Sequence, residues 1–312
     1  MMPKFSIVIP LYNKAPYIER AIQSILTQTF QDFEIIVIND GSTDSSIEIV
    51  KSISDSRIRL VKQKNAGASV ARNRGIKESK SDLIAFLDAD DVWKTKFLET
   101  ILRLIKNYPE AGAYATAYKL HKPNGKIILP KYKDVPPFPW EGLIPNYFQS
   151  ALYQPPVCTS AVAIPKYIFM DVGGFPIGKP LGEDLDMWGR IALKYPIAFS
   201  WQVGATYFLD ADNRACVNYV TPDRPFIRTA EQVIKKGEIS ESLVRDLRKY
   251  INKLRTFIFS DYILAGKPNM ARRLLCIYQK DFGFRFEWFF WYFKAILPVS
   301  VMNFIRYIKG RK

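Results

Sequence analysis

The sequence predicts an α/β fold: a mostly parallel sheet with helices on both faces, followed by an all-helical C-terminal segment. Three observations carry this. Short, unbroken apolar runs at residues 5–10, 33–38 and 83–87 have the length and content of strands buried on both faces. Stretches with helical apolar spacing alternate with them, which implies right-handed crossovers and a doubly wound, three-layer arrangement. Beyond Tyr219 the pattern is helical to the end.

Taken in order, Phe5-Ser6-Ile7-Val8-Ile9-Pro10 is the first strand, and Ala21, Ile22, Ile25 and Leu26 set a helix over 16–27. Residues 33–38 form the second strand. Thr43-Asp44 then open a helix to about Ser52, with an acid placed to favour its N-terminus. A short strand at 58–61, a helix over 66–78, the strand at 83–87, a helix over 93–107 and a strand over 112–120 complete the alternation. Residues 122–156 carry eight prolines and read as an irregular stretch shaping a pocket for a second substrate. Helical patterning returns at 183–193 and again near 225–236, 241–265 and 267–280. The expected division is a domain over 1–220 and a helical, basic and aromatic region over 221–312.

Composition narrows the function classes. With 312 residues, 48% of them apolar, the chain is globular. Cys158, Cys216 and Cys276 are too few and too far apart for a disulfide framework or zinc cluster, and suit a reducing compartment. The N-terminus lacks a secretory pattern, since Asn13-Lys14 soon interrupts its short apolar run. Of the formal net charge of +15, +11 falls in residues 221–312, so the basicity describes that segment's partner better than the α/β core.

The chemistry gathers at strand ends. Ile84-Ala85-Phe86-Leu87 runs into Asp88, Asp90 and Asp91. Carboxylates so close repel one another, and in open α/β sheets the carboxyl end of a strand is where ligands bind. A hard divalent cation carrying a phosphorylated ligand supplies the missing charge. A turn of solvated acids is the plain alternative. Asp40-Gly41-Ser42-Thr43-Asp44 follows the second strand in the same way. It reads either as a turn with a helix cap or as a carboxylate on the same rim, accepting from a nucleobase or ribose. In the small-residue stretch 64–75, Arg72 can reach a diphosphate or the acidic pair, though tight helix–sheet packing explains small residues equally well. His121 lies in a polar loop and is given no role.

Five motifs in order, Pro10-Leu11-Tyr12-Asn13, Asn39-Asp40-Gly41-Ser42-Thr43-Asp44, Asn65-Ala66-Gly67 through Ala71-Arg72-Asn73, Phe86-Leu87-Asp88-Ala89-Asp90-Asp91, and Gly173-Gly174-Phe175 with Gly182-Glu183-Asp184-Leu185-Asp186-Met187-Trp188, resemble glycosyltransferase family 2 enzymes of the GT-A fold. The resemblance covers roughly residues 4–210 and leaves 220–312 outside. It implies an inverting, non-processive transferase using a nucleotide-diphosphate sugar, with a uridine diphosphate sugar the expected donor and Mg2+ or Mn2+ as cofactor. By the same resemblance, Pro10, Tyr12, Glu19 and Asp40 hold the base and ribose. Asn13, Arg72, Ala89 and Glu183 line the nucleotide-sugar site, Asp88 approaches ribose and metal, Asp90 coordinates the metal, and Asp184 is the catalytic base. Family members often carry a His or Arg after the last core strand. Here Leu209-Asp210-Ala211-Asp212-Asn213-Arg214 offers only Arg214 as a phosphate contact.

Residues 282–312 hold eleven aromatics, six Lys/Arg and one acid, Glu287. Their longest uncharged run, 295–305, is interrupted by Pro298 and falls short of the roughly 20 residues needed to span a bilayer. An interfacial helix pair on an anionic membrane surface is expected, with packing on the catalytic domain or a dimer partner as the alternative. Clustered aromatics argue against nucleic acid. The expected function is thus a metal-dependent sugar transferase on the cytoplasmic face of the membrane, peripheral or monotopic, acting on a glycan or lipid-linked acceptor, with homo-oligomerisation open. The competitors are a nucleotidyltransferase, a polyprenyl-phosphate sugar synthase and a non-catalytic membrane-binding scaffold.

Overall fold

The computed structural model describes residues 2–212 and 220–278. The chain separates into two compact units, Met1–Val217 and Asn218–Lys312.

In the first unit, β1 (Phe5–Leu11) pairs in parallel with β2 (Phe33–Asp40) and β4 (Leu83–Phe86), and β2 pairs with β3 (Ile58–Gln63), also in parallel. Ile7 sits opposite Ile35 on one side and Ala85 on the other, and all three are inaccessible to solvent. That register explains why these strands read as continuous apolar runs: both faces are covered, and each buried Ile or Val contributes about 1.5–3 kcal/mol. The crossovers are α1 (Ala15–Leu26), α2 (Ser46–Ser52) and α3 (Ala68–Glu78). α3 lies so close to the sheet that a Cβ on Gly75 would fall 2.2 Å from Val8 Cγ1. Gly75 therefore serves helix–sheet packing, whereas a Cβ on Gly67, just before α3, would meet nothing within 4 Å.

Two expected elements begin later than the pattern suggested. Val92–Trp93 forms a short strand, β5, and the following helix α4 runs over Phe97–Asn107. α3 starts at Ala68 because Gly67 stands at φ +92°, outside the helical region.

The far half of the sheet is mixed. β6 (Ala113–His121) carries the edge ribbon β7 (Ile127–Ile128), and β8 (Glu141–Leu143) and α5 (Tyr147–Ser150) interrupt the proline-rich stretch. A 3₁₀ turn at Thr159–Ala161 leads into β9 (Val162–Pro165), which inserts antiparallel between β4 and β6. After α6 (Lys166–Val172) and α7 (Glu183–Lys194), β10 (Ile197–Phe208) runs parallel to β6 and antiparallel to β5 and β8. The strand order is β3-β2-β1-β4-β9-β6-β10-β5. The apolar-run criterion misses β9, which is as short as β4 but has no acidic turn after it to mark its end, and β10, whose register shifts between Ser200 and Ala205 break the alternation.

The second unit contains α8 (Pro225–Lys236), α9 (Glu241–Leu264) and α10 (Pro268–Ile277). α8 ends at Gly237 in the left-handed conformation, and Ser240 caps α9 by accepting from the Leu243 N–H at 3.3 Å. Phe226, Leu247, Tyr250, Leu254, Phe259 and Leu275 are buried within it. No helix of the described residues is long and apolar enough to cross a membrane. The expected interfacial segment 282–312 lies outside the described residues.

Candidate active site

Three parallel strands end on one rim, and the chain there is stitched together by side-chain-to-backbone bonds. Past β1, Asn13 takes a left-handed conformation (φ 50°), which Asn tolerates better than most residues. It is held there because its Oδ1 accepts from the Thr43 N–H at 2.8 Å while its own N–H donates to Ser42 Oγ at 3.1 Å. Asp44 accepts from the Ala15 N–H at 2.9 Å and from the Ser46 N–H and hydroxyl. Burial opposes ionisation of this carboxyl, but those bonds keep it below the usual carboxylate range.

Asp40 ends β2. Its carboxylate accepts from Gln63 Nε2 at 2.7 Å, the Ala66 N–H at 2.9 Å and the Gly67 N–H at 2.8 Å. The residue read as a base or ribose contact thus also shapes the 65–67 loop, with one lone pair left over by this count. Tyr12 is exposed beside the same rim. Glu19 is on the exposed face of α1 and makes no ion pair among the described residues.

The triplet after β4 divides three ways. Asp91 is inaccessible to solvent, accepting from Ser160 Oγ at 2.5 Å and from the Phe208 N–H at 3.0 Å. Burial pushes its carboxyl well above the ordinary range, and the charges of Asp90 and Asp88 push the same way. Ser160 Oγ also accepts from the Asp88 N–H at 3.1 Å, and the Ser160 carbonyl accepts from Trp93 Nε1 at 2.7 Å. Asp91 and Ser160 together fix the acidic turn to the neighbouring strands.

Asp90 binds the Lys14 ammonium at 2.8 Å, with both side chains only 12% exposed. Lys14 Nζ donates as well to the carbonyl of Asp212, beyond β10. The Asp90 carbonyl accepts from Arg20 Nη2 at 2.7 Å, and the Arg20 guanidinium lies 3.9 Å from the centre of the Phe208 ring.

Asp88 Oδ1 accepts from Arg72 Nη2 at 2.9 Å, and the other prong of the same guanidinium, Nη1, donates to Glu183 Oε1 at 3.0 Å. Arg72 is buried above the Phe175 ring, 5.4 Å from its centroid. Burial opposes its charge, but the Asp88 and Glu183 carboxylates outweigh that and raise its pKa further. Asn73, on the next position of α3, exchanges two hydrogen bonds of 2.8 Å with the Phe175 backbone. Arg190 on α7 hooks the carbonyls of Val172, Gly173 and Gly174 while its Nε donates to Asp186 at 2.7 Å. The Gly173-Gly174-Phe175 motif is a clip between α3 and α7, and Asp186 belongs to the clip.

Asp184 stands in the first turn of α7, where Gly182 (φ 79°) opens the helix. Its Oδ1 accepts from the Leu185 N–H at 2.7 Å. Burial raises its pKa first and the Glu183 charge second, and although Leu185 and Arg72 pull it back, it is pushed up to about 7. That poises a carboxylate to take a proton near neutral pH. The Cys158 thiol faces Asp91, Asp88 and Asp184, and burial keeps it neutral and unreactive. Tyr118, which donates to the Pro155 carbonyl at 3.1 Å, and Tyr132, whose ring lies 5.1 Å from Trp201, line the interior below the proline-rich stretch. Phe138 and Tyr153 are exposed on that stretch.

Of the residues the sequence singled out, the structure brings together Asp88, Arg72, Glu183 and Asp184 and gives Asp91 the structural part read for it, while Lys14 and Ser160 were missed. Arg214 lies outside the described residues. Among the described residues no three His, Cys, Asp or Glu side chains converge to hold a metal ion. Mg2+ is ordinarily held by one or two carboxylates plus substrate phosphates, and the ammonium on Asp90 is a stand-in cation at that point. On both counts Asp90 and Asp88 fit a metal that arrives with a diphosphate.

Comparison with known proteins identifies the family and the fold. The model of glycosyl transferase family 2 matches residues 6–163. The glycosyltransferase GlyA of Streptococcus pneumoniae is 38% identical over 128 residues, 40% of this chain and 18% of that protein. An uncharacterized glycosyltransferase of Rickettsia felis is 32% identical over 199 residues, 62% of this chain and 31% of that protein. The chain thus spans about a third or less of these curated relatives. Among solved structures, S. aureus TarS 1–349 in complex with UDP-GlcNAc superposes with a TM-score of 0.70 at 19% identity, covering 89% of this chain and 80% of that one. The mannosyltransferase PcManGT of Pyrobaculum calidifontis, in complex with GDP-Man and Mn2+, gives 0.58 at 14% identity, covering 95% and 84%. At those identities the likeness is one of fold.

Proposed function

The chain belongs to glycosyl transferase family 2, and on that premise we propose that it moves a sugar from a nucleoside diphosphate sugar to a hydroxyl of a glycan or lipid-linked acceptor, inverting the anomeric carbon. The observation that carries this reading is the Arg72 fork. It ties Asp88, on the donor-side strand end, to Glu183, next to a carboxyl poised near pH 7. A strand-end acidic pair alone would serve nucleotidyl transfer equally well. The neighbouring poised base has a job in sugar transfer to a hydroxyl, whereas the phosphate that accepts a nucleotidyl group in nucleotide-sugar synthesis is already deprotonated.

In this reading Asp184 takes the proton of the acceptor hydroxyl as it attacks, a contribution of roughly 10²–10⁴-fold. Glu183 is held off by Arg72 and the Cys158 thiol is kept neutral, so neither competes as a covalent nucleophile. This favours single displacement. Asp40, Asn13 and the 65–67 loop form a rigid rim for the nucleotide, with Tyr12 exposed beside it for the base. Asp90 and Asp88 would hold Mg2+ or Mn2+, which when bound stabilises charge on the departing diphosphate. A uridine diphosphate sugar is the proposed donor, supported by the fold shared with TarS, whose structures hold UDP-GlcNAc and UDP. The basic aromatic segment 282–312 supports a place on the cytoplasmic membrane face and a lipid-linked acceptor.

Product analysis is the test. Incubation with nucleotide sugars, Mn2+ and candidate acceptors should release free nucleoside diphosphate as sugar appears on the acceptor. A parallel incubation with a nucleoside triphosphate and a sugar 1-phosphate that releases pyrophosphate would assign nucleotidyl transfer instead.

A further inference from the structure

The Lys14 side chain has a use that the transfer reading leaves open. Its backbone cannot move: the N–H donates to Ser46 Oγ at 3.0 Å, and the carbonyl accepts from the N–H groups of Tyr17 and Ile18 at the start of α1. Only the four-carbon stem and its ammonium are free to rearrange. That ammonium holds Asp90 Oδ2 at 2.8 Å in a nearly dry pocket and donates also to the Asp212 carbonyl. Tyr17 lies against the same segment, its hydroxyl 3.4 Å from Asp212 Oδ2 and 3.3 Å from the Asp212 nitrogen. A carboxylate so enclosed cannot go without a counter-charge, because an unpaired buried ion is strongly destabilising. The same carboxylate cannot give that oxygen to a divalent cation and keep the ammonium at hydrogen-bond distance, since two cations would then repel across a few ångströms of poorly screened space.

We propose that Lys14 is the resident counter-ion of Asp90, which a divalent cation must displace, and that the displaced ammonium passes to the donor's diphosphate. This rests on the reading of Asp90 as a metal ligand. The anchored backbone keeps the ammonium within a stem's length of the strand end, where a diphosphate carried on that metal would offer it more negative charge than the exposed Asp212 carboxylate beside it. Two consequences are opposite in sign. Lys14 weakens binding of the bare metal, because the ion pair must first be broken, and strengthens binding of nucleoside diphosphate once metal is present. The site thereby resists filling by metal alone and favours the two arriving together.

The experiment uses the full chain and Mn2+, whose free concentration is read by electron paramagnetic resonance, with UDP as the second ligand. Lys14→Met is expected to bind Mn2+ alone about tenfold more tightly than wild type, and UDP in saturating Mn2+ about tenfold more weakly, each corresponding to about 1.4 kcal/mol. Asp90→Asn should lose Mn2+ binding in either background. If Asp90→Asn abolishes binding while Lys14→Met matches wild type in both titrations, the counter-ion inference fails and the metal reading stands. If Asp90→Asn binds Mn2+ like wild type, the metal reading fails and takes the inference with it. Unsubstituted protein gives a second measure that needs no variant. Acetylation of Lys14 by an amine-reactive ester, followed by peptide mass, should rise several-fold on adding Mn2+ and fall again when UDP is added. A Lys14 signal indifferent to Mn2+ would overturn displacement.

Discussion

Replacing Arg72 with Met removes the cation that Asp88 and Glu183 share while keeping much of the stem's volume over Phe175. Breaking a buried ion pair by deleting one partner costs about 3–5 kcal/mol. Asp88 and Glu183 keep 25% and 16% of their side-chain exposure, so water relieves part of this and about 3 kcal/mol is expected. For a unit of this size that is a fall in Tm of about 6–12 °C. The second effect is on the base. Arg72 is among the groups holding the Asp184 pKa down, against burial and Glu183. Without it the carboxyl keeps its proton to higher pH, and the acid limb of kcat/KM should move from near 7 upward by roughly one unit. The assay is nucleoside diphosphate release between pH 5 and 9, beside thermal unfolding of the same preparations. Arg72→Lys separates the two effects: it keeps the charge, so the limb stays close to wild type, but a single ammonium cannot fork to both acids and stability still falls. An Arg72→Met enzyme with a wild-type acid limb and unchanged Tm would refute the bridge as both brace and tuner.

Asp184→Asn should lower kcat by 10²-fold or more while leaving UDP and Mn2+ affinity nearly intact, and wild-type turnover would remove Asp184 from the chemistry. Because Asp184 binds its proton more tightly folded than unfolded, the stability it contributes is full below about pH 4 and is lost as pH rises towards 7. Metal-free Asp184→Asn should accordingly melt higher than wild type at pH 8, by on the order of 2 kcal/mol, and converge with it in acid. Asp90→Ala should abolish the metal dependence of UDP binding in isothermal titration, and equal affinity with and without Mn2+ would count against Asp90 as ligand. Ser160→Ala leaves the Asp88 N–H and Asp91 Oδ2 without their partner, for a loss of about 2–4 kcal/mol in denaturant unfolding. Flotation with anionic liposomes should depend on residues 282–312, and a chain ended at Asp281 that still floats would rule out that segment as the anchor.

The parallel half of the sheet was legible because burial on both faces writes itself as uninterrupted Ile, Val and Phe. The acidic turn after β4 was legible because three carboxylates in four positions repel one another and so demand a counter-charge. β9 and β10 were not, the one because no acidic turn marks its end and the other for its register shifts. At the site, Asp184 could be singled out beside Glu183, but its partner Arg72 lies 111 positions from Glu183, and nothing in either segment announces the pair. Lys14 is harder still: it adjoins Tyr12 and Asn13, while the Asp90 it neutralises is 76 positions away. Local pattern reveals which groups line a rim, whereas counter-ions are chosen by the fold. Gly75, within the small-residue stretch, is explained by close packing on Val8.

The clip at Gly173-Gly174-Phe175 has a bearing on how such a protein can diversify. Asn73 and Arg190 hold it from two helices, so the spacing between the Arg72 fork and the first turn of α7 is set locally. Of the proline-rich stretch over 122–156, α5 packs against α7 while Phe138 is exposed to solvent. On the proposed reading, change confined to the exposed end around Phe138 would alter which acceptor is admitted while the first turn of α7 keeps its place.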